Sequence, residues 1–286
     1  MLEDIAQTMS MPLRERIRAV CTDIDGTLLD SRRELSPRTI STIARIKDIM
    51  PVILASSRMP AAMRHLQQEL GITTHPLICY NGGYVLRQDG PQPQVLDSVV
   101  IPVTVCRAIL NLTTGTTLHV SLYEQDNWYA PGYDQWTERE ARITKVSPQI
   151  DLAANVLPRW ERQQTGAHKI MCMGPEEEIS TLQHALERGF SADVHAYRSK
   201  STYLEIAPRA ISKASAMDLV LKTCYGLDAS YAIAFGDNYN DMDMLTAAGW
   251  GVAVANGRDE VKVLAKEITQ ANIDDGVAQA IEKYLL

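Results

Sequence analysis

Five short, largely apolar runs, at residues 17–24, 51–55, 76–80, 231–235 and 250–254, constrain the fold more than any other feature of this 286-residue chain. They are too short for helices, rich in Val, Ile, Leu and Ala, and several stop at Gly, Asn or Asp, the pattern of strands buried on both faces and closed by turns. Helical patterns separate them. Ser36-Pro37 reads as an N-cap with proline at the first helical position, opening a helix that turns Ile40, Ile43, Ile46 and Ile49 toward the core. Further helices are expected over residues 60–70, 213–225, 241–248 and 275–285. Buried strands alternating with helices predict an α/β fold, a parallel sheet covered on both faces.

The α/β pattern occupies residues 1–83 and 209–286 and brackets a different middle. Residues 84–208 carry alternating strands near 118–123 and 169–173, helices near 102–112 and 176–188, and a wet Trp/Tyr/Gln-rich stretch. They read as an inserted α+β domain with one partly exposed sheet. Residues 1–15 are expected to be a poorly ordered arm.

Charge narrows the partners. With 35 acidic against 28 basic residues, a net charge of -7 and no basic run, the chain is not expected to bind nucleic acid or an anionic membrane. A small anionic substrate then needs a local positive pocket. No segment resembles a signal peptide or reaches the ~20 apolar residues that span a bilayer. The five cysteines, Cys21, Cys79, Cys106, Cys172 and Cys224, show no metal-site spacing and are expected to be reduced thiols of a cytoplasmic protein.

The chemistry concentrates where strands end. Asp23-Ile24-Asp25-Gly26-Thr27 puts two carboxylates on a loop at the carboxyl edge of a parallel sheet, where open α/β folds bind ligands. Crowded carboxylates repel unless a cation or a shared proton intervenes, so a divalent metal is the natural occupant. One carboxylate can also attack phosphorus while the other shuttles a proton. Turn geometry accounts for an Asp-x-Asp-Gly loop equally well on its own. A second acidic loop, Gly236-Asp237-Asn238-Tyr239-Asn240-Asp241, shifts the balance: it ends another strand at the same edge, where Asp237 can complete an oxygen-rich magnesium site. Ser56-Ser57-Arg58 offers hydroxyl and N–H groups to phosphoryl oxygens ahead of a helix. Lys213 opens a helix, where a cation opposes the dipole.

Together these residues resemble the haloacid dehalogenase superfamily, specifically its Cof-type subfamily IIB phosphatases. The four signature regions are Asp23-Ile-Asp25-Gly-Thr-Leu-Leu, Ser56 in Leu-Ala-Ser-Ser-Arg, Lys213, and Gly236-Asp237-Asn-Tyr-Asn240-Asp241, in order across nearly the whole chain. The resemblance implies a Rossmann-like core with an α+β cap that closes over the site. It implies Mg2+ held by Asp23, the Asp25 backbone carbonyl and Asp237, with Asp23 as nucleophile and Asp25 as general acid/base. Ser56, the Ser57 backbone and Lys213 would neutralise phosphoryl charge, Asn240 would contact the phosphate, and Asp241 would orient Lys213 or a metal-bound water. Arg58, Asn81 and Gly82 are expected on the substrate side; in the cap, Tyr123, Trp128, Tyr129, His168, Lys169, Tyr203 and Glu205 are candidates to line it, with core or scaffolding the commoner role of aromatic residues on a small sheet. His119, His184 and His195 show no partner pattern and are expected to be structural. Ser57 stands where the family usually has Gly.

The expected activity is hydrolysis of small phosphorylated metabolites, sugar phosphates or phosphorylated cofactors, through an aspartyl-phosphate. A phosphosugar mutase or a sucrose-phosphate-type phosphatase is the alternative within the superfamily. A catalytically silent phosphate sensor is the alternative outside it, disfavoured because a mere binder gains nothing from two crowded carboxylates. Substrate identity and oligomeric state are not legible.

Overall fold

A computed structural model describes residues 12–88 and 90–286. The described part of the expected arm forms a helical turn, α1 (Leu13–Arg16); residues 1–11 lie outside the described residues. The chain divides into two compact units. The first holds the described residues up to Ser57, with Met63–Leu96 and Ser212–Leu286; the second holds Arg58–Ala62 and Asp97–Ile211.

The first unit is built on β1 (Ala19–Thr22), β2 (Val52–Ala55), β3 (Leu77–Cys79), β4 (Tyr84–Gln88), β5 (Pro93–Ser98), β14 (Ala232–Gly236), β15 (Trp250–Val254) and β16 (Glu267–Thr269). They form one sheet in the order β16-β15-β14-β1-β2-β3-β4-β5. The pairs from β16 to β3 are parallel, with Val20 opposite both Ile233 and Val52. Parallel neighbours need crossovers, supplied by α2 (Pro37–Ile46), α3 (Ala61–Leu70), α9 (Met242–Ala247) and α10 (Asp259–Leu264). Cys21, Ile53, Ile78, Ala234 and Ala253 pack with Ala216, Met217 and Val220 of α8 (Lys213–Val220) and with Met244 and Leu245 of α9. The chain leaves β1 toward β2 and returns through β14 on β1's other side. That reversal opens a crevice at the carboxyl ends of β1 and β14.

Three expectations change. Ile49 is 71% exposed, because α2 ends at Ile46 and buries Thr39, Thr42, Ile43 and Ile46. Isoleucines spaced every third residue drift round a helix of 3.6 residues per turn and cannot share one face. The helix expected over 213–225 is α-helical only to Val220, continuing as a π-helical turn, Leu221–Tyr225, that stops at Gly226. Residues 84–96 belong with the first unit, since β4 runs antiparallel to β3 with Leu86 opposite Leu77.

The second unit has a six-stranded sheet ordered β12-β13-β11-β7-β8-β9, from β7 (His119–Glu124), β8 (Asn127–Ala130), β9 (Gln149–Ile150), β11 (Lys169–Met173), β12 (Val194–Lys200) and β13 (Tyr203–Pro208). β6 (Ile101–Pro102) and β10 (Gly166–Ala167) pair separately. Helices α4 (Val103–Leu112), α6 (Ala153–Gln163) and α7 (Glu176–Gly189) cover the face carrying Leu122, Tyr129, Ile170 and Leu204; α5 (Gln135–Thr144) is capped by Asp134. The period of two puts His119, Ser121 and Tyr123 on the opposite face. His119, expected to be structural, bridges Asp134 (2.8 Å) and Ser121 (2.9 Å), and Trp128 donates to the same Ser121 hydroxyl (2.9 Å). Tyr123 stacks on Trp128, and Lys169 Nζ lies 4.7 Å from the Tyr123 ring centre and 3.8 Å from Glu205.

Ile53→Ala, in the fully buried middle of β2, is expected to cost about 2–5 kcal/mol through lost transfer energy and the cavity left behind. Urea unfolding followed by circular dichroism measures it; a loss well below that range would mean the sheet closes around the gap.

Candidate active site

Asp23 follows β1 directly, and its N–H donates to the Phe235 carbonyl (3.0 Å), extending the β1–β14 pairing past the strand end. The ladder therefore fixes Asp23 beside Asp237, two residues beyond Phe235. Gly26 lets the loops approach: its φ is +88°, and a Cβ there would lie 2.6 Å from Asp237 Oδ2. Thr27 Oγ1 donates to Asp237 Oδ1 (3.1 Å).

Asp241 is the brace of the second loop. Its Oδ2 accepts the N–H groups of Asp237 and Asn238, each at 3.0 Å, and its Oδ1 lies 2.7 Å from Lys213 Nζ. Lys213 also reaches Asp23 Oδ1 at 2.5 Å and is wholly buried. The sequence suggested an uncomfortable cation at a helix start. In the structure Ser212 caps that helix start through its hydroxyl and the Ser215 N–H, and two buried carboxylates outweigh the weaker opposition of the helix dipole.

A second group of expected residues meets beside this one. Tyr80 (φ 52°), Asn81 (φ 58°) and Gly82 (φ 103°) form a tight left-handed turn after β3. A Cβ at Gly82 would lie 2.5 Å from the Ser212 carbonyl, so the turn presses on the start of α8. Asn81 donates its N–H to the Ser56 carbonyl and accepts from Asn240 Nδ2, both at 2.9 Å. The Ser56 N–H is held by the Ile78 carbonyl (2.9 Å). Ser57 is absent from the residues with positive φ, so its backbone makes no demand for the usual Gly.

Two expected residues have partners of their own. Asp25 carries a partly exposed side chain with Arg33 Nη1 3.2 Å away; the only sequence signal for that partner was a basic pair, Arg32-Arg33, shortly after the loop. Arg58 belongs to the second unit, where its Nη1 donates to the Ala62 carbonyl (3.2 Å).

Charge in the cluster is unbalanced. Asp23, Asp237 and Asp241 present oxygens that all lie within 4.8 Å of one another, and among the described residues Lys213 is the one cation bonded to them. Burial, with Asp241 and Asp237 nearby, pushes the Asp23 carboxyl well above its usual range despite Lys213. Burial and Asp241 raise Asp237 to about 6. Lys213 is driven upward because its carboxylate partners outweigh the cost of burying it. These directions agree: carboxylates outnumber cations, so the site gains by holding every available positive charge. Asp23 Oδ2 is buried without a hydrogen-bond partner. Both oxygens of Asp241 are engaged, which leaves Asp23 and Asp237 as the better metal donors. The hard carboxylate oxygens of Asp23 and Asp237 fit Mg2+, which keeps several waters and takes few protein ligands.

Residues 20–281 match the family model described as haloacid dehalogenase-like hydrolase. A putative phosphatase of Haemophilus influenzae is 30% identical over 268 residues, covering 93% of this chain and 97% of its own. A pyridoxal phosphate phosphatase of Escherichia coli is 27% identical, covering 94% and 99%. A crystal structure of a haloacid dehalogenase-like hydrolase from Bacteroides thetaiotaomicron superposes with a TM-score of 0.83 at 27% identity, covering 93% of this chain and 99% of that one.

A carboxyl held above its usual value binds a proton in the folded state at a pH where the unfolded chain has released it. The contribution of Asp237 to the stability of the metal-free protein therefore falls as pH rises from 3.8 through about 6. Asp237→Asn removes that cost while keeping the acceptor for Thr27. In chelator it is expected to be more stable than the parent by about 3 kcal/mol near neutral pH, with the gain shrinking toward about pH 4. Thermal melts across pH measure this; a pH-independent difference would contradict the assignment.

Proposed function

Because the chain belongs to the haloacid dehalogenase-like hydrolases of the Cof type and is a phosphatase, we propose that it hydrolyses small phosphorylated metabolites with Mg2+, using Asp23 as nucleophile. The observation that carries the reading is the orphaned Asp23 Oδ2, buried and unpartnered while Lys213 holds the other oxygen. An oxygen placed so is costly in a resting protein and useful against phosphorus.

Asp23, Asp237 and the Asp25 backbone carbonyl would hold the metal, which when bound supplies positive charge against the carboxylates and the phosphoryl oxygens. Asp23 Oδ2 forms a bond to phosphorus as the bond to the leaving oxygen breaks, and Asp25 gives that oxygen its proton. Asp25 then takes a proton from water as the water attacks phosphorus, releasing phosphate and restoring the Asp23 carboxylate. Lys213 stays charged throughout and spreads its field over Asp23 and the transferring group. Asp241 keeps Lys213 aimed. Ser56, the Ser57 backbone and Asn240 would receive phosphoryl oxygens, with Asn81 fixing the Asn240 amide. Arg58, Asn81 and Gly82 are carried as substrate-side residues on the resemblance alone. Its relative's activity on pyridoxal phosphate supports a phosphorylated cofactor as one substrate class, with sugar phosphates the other.

A panel of phosphorylated metabolites and p-nitrophenyl phosphate, assayed for phosphate release with Mg2+ and with chelator, tests the reading. Release is expected with Mg2+ and is expected to disappear with chelator. Asp23→Asn should lower turnover by about 10³-fold or more while leaving the fold intact. Failure of the parent to release phosphate from any panel member would favour a silent phosphate sensor, and transfer of the phosphoryl group to a sugar hydroxyl rather than to isotopically labelled water would favour a mutase.

A further inference from the structure

The segment Asn256-Gly257-Arg258, just beyond β15, carries none of the expected site residues, yet it is bonded to both acidic loops. Asn256 Nδ2 donates to the Gly26 carbonyl (2.7 Å), part of the peptide that joins Gly26 to Thr27. Asn256 Oδ1 accepts the Asn272 N–H (2.8 Å), and Asn272 Nδ2 donates to the Leu29 carbonyl (2.7 Å). The Asn272 N–H settles which way the Asn256 amide faces: reversed, it would set oxygen against the Gly26 carbonyl and N–H against N–H. On the other side, the Arg258 N–H donates to the Asp237 carbonyl (2.9 Å) and its Nε to Asn238 Oδ1 (2.9 Å). Its guanidinium lies 4.7 Å from the Tyr239 ring centre. Gly257 permits this closeness, since a Cβ there would lie 3.1 Å from the Asp237 Cα.

Asp23 and Asp237 repel one another, and the β1–β14 ladder ends at the Asp23 N–H, so it does not hold the loops beyond that point. We infer that Asn256 and Arg258 are positioning residues that clamp the 23–27 loop to the 237–241 loop and so set the carboxylate spacing that receives Mg2+. The inference rests on the proposed metal-dependent chemistry of this site. Neither residue touches the reacting atoms; the Asn256 side chain acts through the Gly26 carbonyl, and the Arg258 side chain acts through the Asn238 side chain, its backbone N–H bond to the Asp237 carbonyl being kept in Arg258→Ala. Asn256 is exposed, so its bonds add little to global stability, and their effect falls on local geometry.

The test compares Asn256→Ala, Asn256→Asp and Arg258→Ala with the parent and with Arg38→Ala, which breaks the remote Arg38–Glu282 ion pair. Mg2+ binding is measured by calorimetry on metal-free protein without substrate. The Mg2+ concentration for half-maximal activity, kcat and KM are measured separately. Asn256→Ala and Arg258→Ala are expected to weaken Mg2+ binding by about tenfold or more, as loss of groups that orient metal ligands does. The half-maximal Mg2+ concentration should rise in step, with KM at saturating Mg2+ changing by about twofold or less. Asn256→Asp separates geometry from charge: without the donor it should also weaken binding, whereas a simple field effect would tighten it. Arg38→Ala should leave Mg2+ binding unchanged whatever it does to melting temperature. Unaltered Mg2+ affinity in both alanine variants, or tighter binding in Asn256→Asp, overturns the inference. Should one variant not fold, the others decide. A parent that binds no Mg2+ would instead refute the proposed metal, a distinct result.

Discussion

One buried lysine between two carboxylates organises this molecule. Lys213 lies 2.5 Å from Asp23 and 2.7 Å from Asp241, with no exposure to solvent. Burying an ammonium group costs several kcal/mol unless its partners are well placed, and removing one partner leaves an uncompensated charge. The three side chains come from the end of β1, the start of α8 and the loop after β14, so the ion triad is also a tie among distant segments. Asp241 serves two ends at once. One oxygen holds Lys213, and the other gathers two backbone N–H groups of its own loop.

The same geometry leaves the site short of positive charge. Three carboxylates crowd one lysine, burial disfavours the ionised forms of Asp23 and Asp237, and one Asp23 oxygen has no partner. A divalent cation would supply the positive charge that these carboxylates lack, as the proposed chemistry requires. Local backbone supports the arrangement through positions that only glycine tolerates: a Cβ at Gly26 would strike Asp237, and one at Gly82 would strike Ser212. Both loops can therefore approach as closely as the carboxylates require. The left-handed turn at Tyr80–Gly82 holds strain of the kind that persists where surrounding structure over-determines it.

Much of this was legible in the residues themselves. Short apolar runs specify buried strands because only a sheet covered on both faces can use them, and the strand ends at Asp23, Ser56 and Asp237 follow directly. The acidic loops announce a cation because crowded carboxylates need one. Helix ends and domain boundaries were less legible. Ile49 belonged to an apolar spacing that a 3.6-residue helix cannot keep on one face, and β4 joined the first sheet through pairing with β3, which local pattern does not encode. The partner of His119 was invisible for the same reason, since Asp134 lies fifteen residues away.

The sequence by itself determined the alternation of strands and helices, the residue types at each strand end, and the kind of chemistry they can perform, because these depend on local periodicity and on the reactivity of individual side chains. Tertiary structure alone decided which of those side chains meet. It joined Lys213 to Asp23 across 190 positions and Thr27 to Asp237 across 210, sent Asp25 toward Arg33, and brought Asn256 to the Gly26 carbonyl from 230 positions away. Such contacts are set by sheet order and loop packing. Those are properties of the whole chain, and no window of sequence contains them.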